Sequence, residues 1–288
     1  PESLTAFNPG RPYRLSLSIL LGTTATNLAC SEALPIYSEM NDDSLAARAA
    51  ATGAAFLVNF AGRHDLTVGW AEKRGFYAAM ESHRQGGIQF WDDRDHTGLL
   101  YPGALSPMSD PRYLYRFKSN LSWPAFSRCS ANGDPGEFTA TSGDSVGTLN
   151  GYMDWDPALV DSSSVWQILL RTRGLTTQWG PLPAPESLTV DVTPRRVQHF
   201  MRAAGMLVTW TATRVSDGAL VQSGSVNVDP LGLITIPAVK TYRAGTRLRL
   251  GDNPSLLATP PGMTRPAVLS LAPFRNPVRD RVSLVVSW

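Results

Sequence analysis

The chain is poor in the residue types that announce chemistry. It holds two cysteines and four histidines in 288 residues. Cys30 and Cys129 lie far apart and no C-x-x-C occurs, which excludes a zinc ribbon and a dithiol redox motif; the two read either as one disulfide or as two buried thiols. Charged residues make up 17% of the chain, the net charge is +2 and no block of Lys or Arg exists, so nucleic-acid binding has no electrostatic footprint. No run reaches the ~18 apolar residues of a membrane helix, and no membrane partner is expected. H-E-x-x-H and cofactor fingerprints are missing, so no cofactor is expected. No Gly-x-Ser-x-Gly occurs in residues 1–64. The first residue is Pro, with no charged n-region or apolar h-region after it, and the last residues stop inside a strand-like alternation. The expectation is a fragment whose missing N-terminal half completes any active site.

What is present fits folded, turn-rich protein. Hydrophobic residues reach 43%, with 24 Gly, 22 Pro and 8 Trp, a mix that suits secreted β structure. The length sets a prior of about two domains.

One segment reads as chemistry. The apolar run 54–60 is strand-like and ends at Ala61-Gly-Arg-His-Asp65. A helical run from Thr67 to Ser82 follows, with Ala71, Gly75 and Ala78 as a small face for close approach to a sheet, Phe76 and Met80 as an i, i+4 pair, and Gly86-Gly87 as the stop. Then come Ile88-Gln-Phe-Trp91 and Asp92-Asp-Arg-Asp-His96-Thr-Gly98. A strand of about 7 residues and a helix of about 15 residues each span a little over 20 Å. The helix therefore carries the chain back, and the two strands run parallel as a βαβ unit. Asp65 and His96 then leave the carboxyl ends of adjacent strands, where open α/β sheets place their sites. The pair fits the acid and base of a hydrolytic triad: His takes the nucleophile's proton, and Asp holds the tautomer and stabilises the imidazolium. The plain alternative is two polar loop residues.

The same residues resemble the end of an α/β-hydrolase. Gly62, Asp65 and Val68 match that family's Gly-x-x-Asp-x-x-Val after the penultimate strand, and Asp95-His96-Thr-Gly98 matches its Asp/Gly-His-x-Gly after the last one. The resemblance is specific over about 45 residues and implies ester or amide hydrolysis, with the nucleophile and oxyanion hole upstream. Gly143-Asp-Ser145-Val-Gly147 matches an elbow by letter only, since neither a strand before it nor a helix after it is expected. A metal site of His64, Asp65, His96 and the acids Asp92, Asp93 and Asp95 is a weaker alternative, because no ligand pair of recognised spacing is present. His64 competes with His96 as the base.

The rest reads as β. After Tyr101 the texture becomes turn-rich. Strands are expected at 113–118, 147–155, 166–173, 188–192, 206–214, 223–228, 233–236, 246–250 and 282–286, with a long loop over 127–145. This spacing argues for an antiparallel sandwich. Trp123, Trp155, Trp166, Trp179 and Trp210 read as its core, or else as a sugar-binding face. The stretch 272–287, with Asn276-Pro277 ahead of alternating Val282, Leu284 and Val286, resembles the opening of C-terminal β-sandwich sorting modules on secreted Gram-negative bacterial proteins.

The expected fold is therefore α/β followed by all-β. Residues 1–104 form the C-terminal portion of an α/β-hydrolase-like domain with a parallel sheet, 105–258 an antiparallel β-sandwich region, and 259–288 the start of a sorting-type module. The expected function is part of a secreted or cell-surface serine hydrolase acting on a small-molecule or polymeric ester or peptide, with Asp65 and His96 as catalytic residues and the fragment inactive by itself. The alternative is a non-catalytic surface adhesion or carbohydrate-binding protein.

Overall fold

The structure is a computed structural model that describes residues 46–51, 53, 55–65, 69–95, 116–118, 120–137, 139–177, 180–251, 270–276 and 281–287. Residues 1–45, with Cys30 among them, and His96, Trp179 and residues 113–115 of the expected strand 113–118 lie outside the described residues; 116–118 are turn and irregular backbone, not strand. The chain divides into two compact units, Pro1–Asp252 and Asn253–Trp288.

The expected parallel crossover is present. Strand β1 (Leu57–Gly62) pairs in parallel with β2 (Gly87–Asp92), from Leu57↔Gly87 to Gly62↔Asp92. Helix α1 (Trp70–Ser82) connects them. The helix starts at Trp70 rather than Thr67, with extended Gly69 at its N-cap and no side-chain cap. Its packing face is also different from the expected small-residue one. Of the expected face Ala71 is buried and Gly75 half-buried, whereas Ala78 is exposed; Trp70, Tyr77 and Met80 are buried. Their spacing is one stripe of a 3.6-residue helix. Trp70 and Tyr77 meet Trp91, Ala61 and Leu149 in a small aromatic core. Burying such rings is worth about 1.5–3 kcal/mol each, more than a close backbone approach over alanines would return.

The helix stops before Gly86-Gly87. Arg84 sits in the left-handed region at φ 52°, its N–H donates to Glu81 O, and Gln85 N–H donates to Met80 O, which is a Schellman end with Arg in the place glycine favours. The Arg84 side chain is held by Asp229 at 2.7 Å and Thr235 at 3.2 Å.

Strand β3 (Trp123–Ser127) begins the antiparallel part, and β4 (Gly147–Leu149) returns to pair antiparallel with β2. The sheet that carries the expected active-site rim is thus β1-β2-β4. It holds one parallel pair, and a parallel sheet of α/β-hydrolase type is not what the described residues form. β2 is buried along its whole length. Trp91 faces the helix side, while Ile88 and Phe90 join the core of the strands that follow. Covering on both faces is what a parallel-paired strand requires.

Antiparallel strands make up the rest. They are β5 (Met153–Trp155), β6 (Val160–Asp161), β7 (Val165–Thr172), β8 (Leu175–Thr177), β9 (Gly180–Leu182), β10 (Ser187–Arg195), β11 (Leu207–Arg214), β12 (Leu220–Asn227), β13 (Ile236–Tyr242) and β14 (Thr246–Gly251). One sheet has the order β13-β10-β3, the other β12-β11-β14-β7-β5 with β6 also on β7, and β8-β9 is a separate hairpin. Along β7 burial alternates strictly, with Trp166, Ile168, Leu170 and Thr172 inside. Trp166, Ile168 and Leu170 meet Leu188, Val190 and Val192 of β10 and Leu248 and Leu250 of β14 in one core. Trp123, Trp155, Trp166 and Trp210 all belong to it. Cys129 is a free, buried thiol, pushed up to about 11 by burial.

In the second unit β15 (Ser270–Asn276) and β16 (Arg281–Ser287) pair antiparallel, Ser270↔Ser287 through Asn276↔Arg281. Among the described residues no helix is long and apolar enough to cross a membrane.

Candidate active-site rim

Parallel pairing sends the residues after β1 and those after β2 out of the same rim. The ladder continues past both strands: Arg63 N–H donates to Asp92 O at 2.7 Å and His64 N–H to Arg94 O at 3.1 Å. Gly62 is required there. A Cβ at Gly62 would lie 2.4 Å from Arg94 O, inside any real contact distance. The glycine of the expected Gly-x-x-Asp spacing thus exists for close approach of the next strand's backbone, not for a turn.

Asp65 stands three residues beyond β1. Its Oδ2 lies 2.8 Å from Lys73 Nζ, and Lys73 also donates to Gly62 O at 3.0 Å, with both side chains about nine-tenths buried. Lys73, one turn into α1, therefore ties the carboxylate to the end of its own strand. His64 is half-exposed, with Nε2 3.6 Å from Asp93 Oδ1, and Arg63 Nη1 approaches the same oxygen at 3.5 Å. Asp92 accepts from Arg94 Nε at 2.7 Å and from Arg94 Nη2 at 2.5 Å. His96 lies outside the described residues; Asp95, its neighbour in sequence, is at the rim end of β2's exit.

The rim thus carries carboxylates answered by cations: Asp65 by Lys73, Asp92 by Arg94 and Asp93 by Arg63, with the His64 imidazole beside Asp93. This order suits orientation and proton handling. It does not suit a cation, which would have to displace Lys or Arg from each acid. Among the described residues no group of three His, Cys, Asp or Glu could hold a metal ion. No family model matches the chain, and neither a curated protein nor a solved structure is significantly similar to it.

The loop before β4 covers part of the rim. Arg63, 4% exposed, donates from Nη2 to Ala140 O and Ser142 O. Arg74 Nε donates to Gly136 O, Trp70 Nε1 to Pro135 O at 3.0 Å, and Trp91 Nε1 to Asp144 O at 2.8 Å. The exposed Asp134 and Asp144 side chains accept backbone N–H groups of the same loop, from Gly136 and Asp134 respectively. Ser145 lies in this loop, exposed, and a strand follows it, not a helix. Gly147 is explained by packing, since a Cβ there would meet the Trp91 ring at 2.2 Å. The nucleophile-elbow geometry, strand then helix, is absent at Ser145.

Sequence reasoning missed Lys73, Arg63 and the loop they serve. Lys73 was visible as a lone cation on the first turns of a helix that opens beside an acidic loop. Arg63 had no local signal, because its partners are carbonyls some eighty residues away.

At the other end of α1, Glu81 Oε1 accepts from Asn132 Nδ2 and Asn150 Nδ2, each at 3.4 Å. Burial raises its carboxyl above the ordinary value, against the Arg128 N–H and the two amides, with Asp191 adding to the rise. This cluster ties the end of α1 to the loop before β4 and to the residue just after β4.

Proposed function

We propose that the chain carries the acid and the base of a serine hydrolase triad, Asp65 and His96, in the C-terminal portion of an α/β-hydrolase-like domain of a secreted or cell-surface bacterial protein with appended β-sandwich modules. The reaction is ester or amide hydrolysis of a small or polymeric substrate through an acyl-enzyme. The observation that supports this reading best is the parallel register Leu57↔Gly87 to Gly62↔Asp92, which sends the chain toward Asp65 and toward His96 from one rim. In this reading His96 accepts the proton of the attacking hydroxyl, and Asp65, held by Lys73, fixes the imidazole tautomer and stabilises the imidazolium. The nucleophile is not assigned, and Ser145 lacks the elbow.

The adhesion or carbohydrate-binding alternative loses its main feature, because Trp123, Trp155, Trp166 and Trp210 are core residues rather than a platform. The test is an NMR titration of the His96 imidazole. An adjacent carboxylate favours the charged ring, so Asp65→Asn lowers its pKa by about one unit. Identical titration curves in the two proteins would refute the pairing.

A further inference from the structure

One cavity lies apart from the rim and has no part in the hydrolase reading. It measures about 330 Å³ and is walled by Pro194 and Arg195 at the end of β10, by 196–197 and 200–202 just after it, by 232–234 ahead of β13, and by Ala51. No acidic side chain lines it, while Arg195, Arg196 and Arg202 do. The remaining wall is apolar: Val197, Phe200, Leu233 and Ile234, with Met201 69% exposed.

Arg195 is the anomaly. Its side chain is fully buried, at 2% exposure. Nη2 reaches only Ala49 O at 3.3 Å and Gln85 Oε1 at 3.4 Å, and Nη1 has no hydrogen-bond partner. It forms no ion pair among the described residues. The acids nearby are already engaged: Asp229 is paired with Arg84 at 2.7 Å, and Asp161 accepts the N–H groups of Gln198, His199 and Phe200. Burial, with the Arg84 charge next, pulls Arg195 down to about 10, and the field of Asp229, which is already paired with Arg84, offsets only part of this. A buried guanidinium without a counter-charge of its own is expensive, and a fold that keeps one ordinarily supplies an anion. Arg196 adds a second cation, stacked 4.6 Å over the Trp123 ring and making no ion pair among the described residues.

We propose that this cavity binds an organic monocarboxylate with a short apolar body. The carboxylate sets its charge against Arg195 and Arg196, and the hydrocarbon lies along Leu233, Ile234 and Met201. The volume is at the low end for small-molecule sites and admits about ten non-hydrogen atoms. Two features select this class over a bare inorganic anion: more than half of the wall side chains are apolar, and the two charges that form no ion pair among the described residues are guanidiniums, which pair with planar carboxylates.

The experiment is a titration of the ¹⁵N-labelled chain with hexanoate, read at the amides of 194–202 and 231–234 and at the Arg195 Nε–H signal. Saturable shifts confined to these signals are expected, with hexanamide and inorganic phosphate at least about tenfold weaker. Arg196→Gln is expected to weaken hexanoate about tenfold while the rest of the spectrum is unchanged. Arg195→Met should abolish binding. If that variant does not fold, Met201→Asp, at an exposed position, places a like charge at the mouth and should weaken hexanoate by a similar factor. No saturation at about 10 mM hexanoate, equal binding of hexanamide or phosphate, or unchanged affinity in both Arg196→Gln and Met201→Asp would overturn the proposal.

Discussion

Replacing Gly62 by Ala tests whether the β1/β2 rim is built by close backbone approach. Gly62 has no left-handed backbone requirement, so the effect of the new methyl is steric alone. The Cβ would lie 2.4 Å from Arg94 O and 3.0 Å from Arg94 C, both backbone atoms, whereas ordinary contact begins at 3.4 Å. A side chain could swing away, but a carbonyl fixed in a ladder cannot. The rim must open by about 1 Å, which strains the His64 N–H···O=C Arg94 bond and the Lys73 bond to Gly62 O. Overpacking of this kind costs about 1–3 kcal/mol, and one weakened ladder bond adds about 1 kcal/mol. The expected loss is therefore about 2–4 kcal/mol by urea denaturation, with faster hydrogen exchange at the His64 amide. Gly251→Ala is the control: its Cβ would meet Ser164 O at 3.4 Å, an ordinary contact, and less than about 0.5 kcal/mol is expected. If Gly62→Ala behaves like the control, the rim is not held as argued, and the placement of Asp65 by that rim fails with it.

Three further outcomes follow from the geometry. The raised Glu81 carboxyl means that the folded state keeps its proton longer than the unfolded chain, so this group's effect is neutral below the ordinary value of 4.5 and destabilising as pH rises above it. Glu81→Gln should therefore raise the melting temperature at pH 7 and leave it unchanged near pH 4; a constant difference across both would refute the cause. Arg84→Gly relieves the left-handed backbone while losing the Asp229 pair, whereas Arg84→Ala loses the pair and keeps the strain, so the Gly variant should be the more stable by about 1 kcal/mol in denaturant melts. Lys73→Met removes the ammonium from the buried Asp65 carboxylate and should cost about 2–3 kcal/mol, of which Asp65→Asn in the same chain should recover about half; strictly additive losses in that double-mutant cycle would show that the two do not act as a pair.

What the sequence made legible, and what it did not, divides along range. The crossover was readable because its signals are local: an apolar run, a helical period and a second short apolar run. Its details were lost where tertiary contact overrides local rules. Gly62 read as loop and is strand, because Arg94 approaches it. Ala71, Gly75 and Ala78 read as the packing face, yet the aromatic Trp70–Tyr77–Trp91 contact buries more surface. Gly86-Gly87 read as the helix stop, yet Arg84 takes the left-handed position because Asp229 and Thr235 hold its side chain. A Cβ at Gly86 would meet Phe56 at 2.6 Å and Trp123 Nε1 at 2.7 Å, so that glycine answers to packing. β3 was missed because Pro124 demotes a strand by rule, while β3 is an edge strand, where proline is tolerated. β13 was expected at 233–236 and runs Ile236–Tyr242, since buried Leu233 and Ile234 are core residues of the approach and not ladder residues.

The rim shows the same division at the level of charge. Asp65 could be picked out by its position after an apolar run, but its working environment is set by Lys73 on the helix and by a loop more than seventy residues downstream that Arg63 pins in place. That environment bears on mechanism. A carboxylate already bonded to an ammonium stabilises a neighbouring imidazolium less than a lone one would, because the cation offsets part of its field. What Lys73 adds in exchange is position: it bonds Asp65 Oδ2 and Gly62 O at once and so references the carboxylate to the end of β1. In the hydrolase reading, Asp65 therefore acts chiefly by orienting the base and only secondarily by charge. In that reading the Gly62 contact matters to chemistry as well as to stability. The carbonyl that anchors Lys73 belongs to the one residue whose lack of a side chain lets the two rim strands meet.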